Sequence, residues 1–309
     1  MRGLYKKIIL FLIPVLLVWG GVEYFYRTTE TNYTFKHEQI VGDYKESAVL
    51  LFGNSHALYG LNPDYFSPKT FNIANVSQSL YFDELLFNKH VDRLPNLKAV
   101  VLTISYFSLS QEDNTSEDLW RKYFYQNQMQ LKVPIVSNYD VKKYSLALAR
   151  RFNKSVEMIH EYIENGTNVT CHENGYGFQD ASDIVEDKEQ ITPIIVNKHE
   201  DGLIDFETNT QRLQRIITAC KQRNIMVFLV EMPVYKAYYE ALNSDKKEKI
   251  VTTLAKLQSE NEDVIYIKLS QDPRFNSDDL RDADHLTNEG AKKCSQLLNK
   301  IIMEKIQWD

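Results

Sequence analysis

Four runs of largely β-branched and apolar residues, 48–52, 97–104, 225–230 and 264–267, punctuate the chain, with a shorter one at 70–74, and helical patterns separate them. Strands that read as continuous apolar runs are buried on both faces, and strands spaced by helices are joined by crossovers. The pattern predicts an α/β chain, a flavodoxin-like three-layer α/β/α fold around a mainly parallel five-stranded sheet. The expected helices cover 80–93, 208–223, 235–261 and 288–306. Residues 108–206 break this rhythm with helical stretches at 118–130 and 141–164 and a polar loop at 167–180. That block is expected as an insertion, read either as a shelter over the functional site or as a structural cap. Its aromatics Trp120, Tyr123, Phe124 and Tyr125 read as core or as a surface for stacking on a ligand's rings.

Residues 1–26 stand apart. Arg2, Lys6 and Lys7 precede an apolar run that, counted from Leu4 to Tyr26, reaches the roughly 20 residues needed to cross hydrocarbon, with Trp19, Tyr24, Phe25 and Tyr26 at its far end. Basic residues on the short N-terminal side predict a single-pass protein whose remainder lies outside the cytoplasm, in the periplasm or at the cell surface. No small-x-small site follows the run, which favours an uncleaved signal-anchor over a cleaved signal peptide. Residues 27–46 are polar without a sustained apolar period and are expected as a stalk, with the folded domain at 47–309.

The net charge of −6 and the lack of a dense Lys/Arg stripe argue against a nucleic-acid partner. Cys171, Cys220 and Cys294 form neither a disulfide framework nor a zinc spacing. No phosphate-cradling loop, metal-ligand spacing or cofactor motif is present, so neither a metal nor a cofactor is expected.

The chemistry concentrates at the two ends of the folded part. Strand 48–52 runs into Gly53-Asn54-Ser55-His56, and Ser55 therefore stands just beyond the C-terminal end of a buried strand, where open α/β sheets bind ligands. Taken alone, the tetrapeptide reads as an ordinary strand-to-helix turn with Ser55 as N-cap. Far along the chain, Asp282-Ala283-Asp284-His285 follows the last strand and precedes a helix with Thr287 as N-cap. His285 is then at the same sheet edge as Ser55, and Asp282, three residues earlier, can hold its Nδ1–H and leave Nε2 for the serine. Asp284 is the rival for that role. His56 either lines the site or simply starts a helix, His90 lies in an amphipathic helix, and His37, His160, His172 and His199 have no second ligand at metal-binding spacing.

These blocks resemble the SGNH, or GDSL-type, hydrolase superfamily, whose first block is Gly-Asp-Ser and whose last is Asp-x-x-His. The run from Leu51 to Gly60 with that from Phe71 to Ser79 is most similar to its membrane-anchored bacterial branch, which acylates alginate, cellulose or teichoic acid outside the cell. The resemblance covers roughly 47–107 and 207–309. It implies an esterase or O-acyltransferase with Ser55 as nucleophile, His285 as base and Asp282 as its orienting acid. It also implies a membrane tether, an acylated glycan as substrate and a membrane-bound acyl-transfer partner. Two departures stand out. Ser77 occupies the place of the second block's glycine, and Ser105-Tyr106-Phe107-Ser108 replaces the third block's Gly-x-Asn-Asp, removing a side-chain oxyanion donor. Asn54, Asn75, Ser77 and Gln78 are the candidates for oxyanion or substrate contacts. A non-catalytic relative that binds a glycan or a membrane partner is the competing expectation.

Overall fold

The computed structural model describes residues 2–111, 113 and 118–308. Residue 1 of the expected anchor and residues 112 and 114–117 of the expected insertion thus lie outside the described residues. The chain divides into two compact units, Met1–His37 with Glu117–Thr170, and Glu38–Ser116 with Cys171–Asp309.

The second unit is built on a sheet of five parallel strands: β1 Val49–Phe52, β2 Thr70–Asn72, β3 Ala99–Thr103, β4 Met226–Glu231 and β5 Val264–Lys268. Their order is β2-β1-β3-β4-β5, the flavodoxin-like arrangement the apolar runs predict. Right-handed crossovers send the β1–β2 connection to one face and the later ones to the other. Val49, Leu51, Ala99, Val101, Phe228 and Val230 accordingly share a core cluster with α3 (Ser55–Gly60) and the C-terminal helix Asn288–Lys305. On the opposite face Phe52 meets Phe87 of α4 (Leu80–His90), and α4 packs on the helix Glu207–Lys221. The helix expected at 235–261 is two, Lys236–Ala241 and Ser244–Glu260, because Asn243 caps a new start by accepting from the Lys246 N–H. The expected insertion contains a helix without an apolar period, Lys188–His199.

The first unit holds α1 (Arg2–Thr28), which is long and apolar enough to cross a membrane. Where a stalk was expected, residues Asn32–Val41 form a helix. Helix Arg121–Asn127 turns Tyr123, Phe124 and Tyr125 inward, where Phe124 meets Tyr26 at 5.3 Å and Tyr125 meets Tyr33 at 5.0 Å, edge to face. These three aromatics are core.

The strand order reverses between β1 and β3, and the backbone leaves β1 there through Gly53, whose φ is +130°. A Cβ on Gly53 would lie 2.0 Å from Thr103 Oγ1 on the neighbouring strand. Gly53→Ala is expected to destabilise the protein by about 3 kcal/mol or more, from a conformation open mainly to glycine plus a steric clash. Thr103→Ala in the same background should recover only part of this, since it removes the clash and leaves the strained φ. Urea unfolding of the single and double variants checks both statements.

Candidate active site

The turn after β1 is gripped from several sides. Asn54 is the N-cap of α3, accepting from the His56 N–H at 3.0 Å, so Ser55 is the first residue of the helix and not its cap. The Gly53 N–H donates to Asp83 Oδ1 at 3.2 Å, and Asn72 of β2 donates to the Ala57 and Leu61 carbonyls of α3 at 2.8 Å each. Asp83 is fully buried, and that burial pushes its carboxyl up to about 7.

From the other end of the chain, the loop after β5 delivers His285 to this turn. Its Nε2 is 2.8 Å from Ser55 Oγ, and its Nδ1 is 2.9 Å and 3.1 Å from the two oxygens of Asp282. Asp282 is itself held, since its Oδ1 accepts from the backbone N–H of Asp284 at 2.9 Å and of His285 at 2.7 Å. A carboxylate on Nδ1 fixes the tautomer in which Nε2 accepts from the serine hydroxyl. The three residues selected from distant parts of the sequence thus stand in one hydrogen-bonded line.

Asp284 is not an alternative to Asp282 but an addition to it. Its Oδ1 lies 3.3 Å from His285 Nδ1, and its Oδ2 accepts from His56 Nε2 at 2.8 Å. With the His56 proton on Nε2, Nδ1 accepts from Ser105 Oγ at 2.9 Å, and Ser105 Oγ accepts from Asn54 Nδ2 at 2.9 Å. Ser105, where the resemblance led to expect a glycine, therefore closes a chain of hydrogen bonds from the serine turn to the histidine loop. His199, in the expected insertion, stands 3.8 Å from the same Asp284 oxygen, and its Nδ1 is 2.9 Å from Tyr238 Oη. His199 and Ser105 are the members of the site that sequence reading missed, and His56, read as either lining the site or starting a helix, does both. His56 carried a signal in its adjacency to Ser55, whereas nothing in the sequence links His199 to Asp284.

The four oxyanion candidates fare differently. Asn54 is engaged by the cap and by Ser105. Gln78 donates to Asp83 at 2.7 Å and so serves the turn. Ser77 sits at φ +55°, the left-handed region in which a glycine is freer, at the position where the superfamily pattern has one. Asn75 lies beside the turn, its N–H donating to the Gly53 carbonyl at 3.4 Å, and its side-chain Nδ2 is buried without a hydrogen-bond partner. A buried amide with an idle donor is costly to keep unless something else fills it.

Electrostatics follow from burial. Desolvation opposes a charge on His285, but the Asp284 charge and hydrogen bonds to Asp282 and Asp284 outweigh it and hold its pKa up at about 9. Burial would raise Asp282 and Asp284, yet the facing His285 keeps Asp282 below, and Asp284 well below, the usual carboxylate range. His199 goes the other way, pushed down to about 4 by burial. His56, Asp284 and His285 offer ligand atoms within 4.8 Å of one another, a spacing that could hold a metal ion. Those atoms are also mutual hydrogen-bond partners, and an ion there would compete for the Nδ1 position by which Asp282 orients His285.

A histidine whose folded pKa of about 9 exceeds its ordinary 6.5 stabilises the fold fully below about 6.5, and that contribution is lost as pH rises through about 9. Stability of the wild type should therefore decline across that interval. In Asp284→Asn the decline should shrink and the His285 imidazole titration, followed by NMR, should move to lower pH. An unchanged titration would separate Asp284 from the control of His285.

No family model and no curated protein matches the chain. Solved structures it is similar to include a candidate platelet activating factor from Streptococcus pneumonia, at 12% identity and a TM-score of 0.43 over 96% of this chain and 99% of that one. A candidate acylhydrolase from Bacteroides fragilis is 13% identical with a TM-score of 0.39, over 84% of this chain and 88% of that chain. A GDSL-like lipase from Bacteroides thetaiotaomicron is 12% identical with a TM-score of 0.43, over 88% of this chain and 100% of that chain. Likeness of this degree carries no argument about chemistry, which rests on the geometry of the side chains.

Proposed function

We propose that this chain is a membrane-anchored serine esterase or O-acyltransferase working outside the cytoplasm on acyl esters of a surface glycan. The observation that carries the catalytic part is the line of contacts Ser55 Oγ, His285 Nε2 and Nδ1, and the Asp282 carboxylate, at 2.8 Å and 2.9 Å. In this reading Ser55 Oγ attacks the acyl carbonyl while its proton passes to His285 Nε2. Asp282 and Asp284 face the imidazolium that forms. Collapse of the tetrahedral adduct breaks the ester bond, His285 returns the proton to the departing alcohol, and the acyl group stays on Ser55. A sugar hydroxyl or water then attacks the acyl-serine with His285 again as base.

The same pKa of about 9 that stabilises the imidazolium leaves His285 mostly protonated at neutral pH in the free enzyme, so kcat/KM should climb with pH toward about 9. Asn75 supplies the side-chain donor that the third block lacks, in addition to the backbone N–H groups of the serine turn. The N-terminal helix is the tether, and the glycan substrate and a membrane-bound acyl-transfer partner follow from the superfamily resemblance.

Two experiments test this reading. Full-length protein in detergent should be labelled by a serine-reactive fluorophosphonate at a rate that rises toward pH 9, and Ser55→Ala or His285→Ala should abolish labelling. A folded wild type that does not label would favour the non-catalytic, glycan- or partner-binding reading. Asn75→Ala should lower kcat on an acyl ester about 100-fold or more, the scale of one lost oxyanion donor, while thermal stability holds or rises because an idle buried donor is removed. Lost stability with unchanged kcat would make Asn75 structural.

A further inference from the structure

Helix α7 (Phe152–Asn165), in the same unit as α1, has an apolar stripe left largely exposed among the described residues. Phe152, Val156, Ile159 and Ile163 follow one another at spacings of four, three and four residues and so line one face. Phe152, Val156 and Ile163 are 61%, 47% and 75% exposed. Glu157, His160, Glu161 and Glu164 take the opposite side and are exposed as well. An exposed row of this kind is unfavourable in water and calls for an occupant.

The position of α7 against α1 identifies one. Ser155 Oγ accepts from Tyr26 Oη at 2.9 Å, and the Tyr162 ring lies 5.7 Å from that of Phe25. Two residues a full two turns apart on α7 thus meet neighbouring residues of α1, so α7 crosses α1 and does not run along it. The crossing falls at Phe25–Tyr26, where a span of roughly 20 residues counted from Lys6 and Lys7 ends. Just before it, the short helix Leu146–Ala149 is tied to α1 by Trp19 Nε1 donating to Ser145 Oγ at 3.0 Å and the Ala147 N–H donating to Glu23 at 2.9 Å. A groove of about 550 Å³ there is lined mainly by apolar side chains, Pro14, Val18, Val22, Leu148 and Phe152 among them, with Arg150 as its one charged residue. The stripe of α7 therefore begins among side chains of the apolar run and is continuous with it.

We infer that α7 lies in the plane of the membrane at its far boundary, with Phe152, Val156, Ile159 and Ile163 immersed in lipid beside the α1 span. This rests on the reading of α1 as a membrane anchor. A helix that crosses a spanning helix at the interface runs parallel to the bilayer surface, and its apolar side meets acyl chains while its charged side meets water. The polar side is mainly acidic, so the contact draws on apolar burial and not on attraction to anionic lipid. The segment from Ser145 to Ile163 then acts as a foot that fixes the tilt and depth of α1, a role a bare helix followed by a flexible linker does not have.

The test places an environment-sensitive NBD label on single cysteines in the full-length protein reconstituted in phosphatidylcholine vesicles. Cys171, Cys220 and Cys294 are buried, so the introduced thiol is the one that reacts. Val156→Cys and Ile163→Cys should show blue-shifted emission, quenching by lipids with a shallow doxyl group and protection from aqueous iodide, and Glu161→Cys the reverse. Leu17→Cys, which is exposed in the middle of the apolar run, reports on the anchor itself through deep doxyl lipids. If Leu17 is quenched by lipid while positions 156 and 163 are open to iodide, the in-plane helix is wrong and the anchor stands. If Leu17 is open to iodide, the anchor reading fails and this inference with it. Protection of 156 and 163 from iodide and lipid quencher alike would mean that a second copy of the chain covers the stripe, which also overturns the proposal.

Discussion

Asp284 carries a carboxylate at 2% exposure, and a charge so deeply placed is tolerable only where other groups surround it. His56 and His285 lie within 3.3 Å of it, and His199 within 3.8 Å. These partners come from three places: the turn after β1, the loop after β5, and a helix in the segment between β3 and β4. One buried charge thus obliges distant parts of the chain to converge, and the convergence sets His285 against Ser55. Asp282 orients the ring; Asp284 sets the field in which the ring is charged or neutral. The two acidic residues of this short loop answer different physical needs, and the choice between them was never exclusive.

The sheet explains why the meeting takes place where it does. Parallel strands all deliver their C-terminal ends to one edge, and the order β2-β1-β3-β4-β5 opens a crevice beside β1. Gly53 lets the chain turn there against Thr103 with no side chain intervening, while Asp83 and Asn72 pin the turn from neighbouring elements. The hydroxyl of Ser105, just past the end of β3, is spent on the chain of hydrogen bonds from Asn54 to His56. Beside the same turn, the buried side-chain amide of Asn75 keeps an idle donor.

The smaller unit follows a different logic. Its aromatic core, Tyr26, Tyr33, Phe124 and Tyr125, packs through edge-to-face and tilted ring contacts around the exit of α1, so the end of the apolar helix is built into a folded body. Part of its remaining apolar surface, the stripe on α7, is continuous with that helix. A surface of that kind is stable where the surrounding medium is itself apolar.

The sequence by itself determined the sheet, since short apolar runs spaced by helical patterns read as the strands of a parallel sheet, and it determined the apolar N-terminal helix and the two end blocks that hold Ser55, Asp282 and His285. Local chemistry sufficed for these, because periodicity, a glycine before a turn and an Asp three residues before a His act over a few residues. It did not show the break at Asn243, where one cap overrides a continuous helical period, nor the helix at Asn32–Val41 or that at Lys188–His199, whose stability comes from packing. Only the tertiary structure decided that Asp284 joins Asp282, that Ser105, His56 and His199 belong to the site, and that among the oxyanion candidates Asn75 alone keeps an unpaired donor among the described residues. Those facts depend on burial and on contacts between segments up to 228 residues apart, and such contacts leave no period or spacing in the chain to be read.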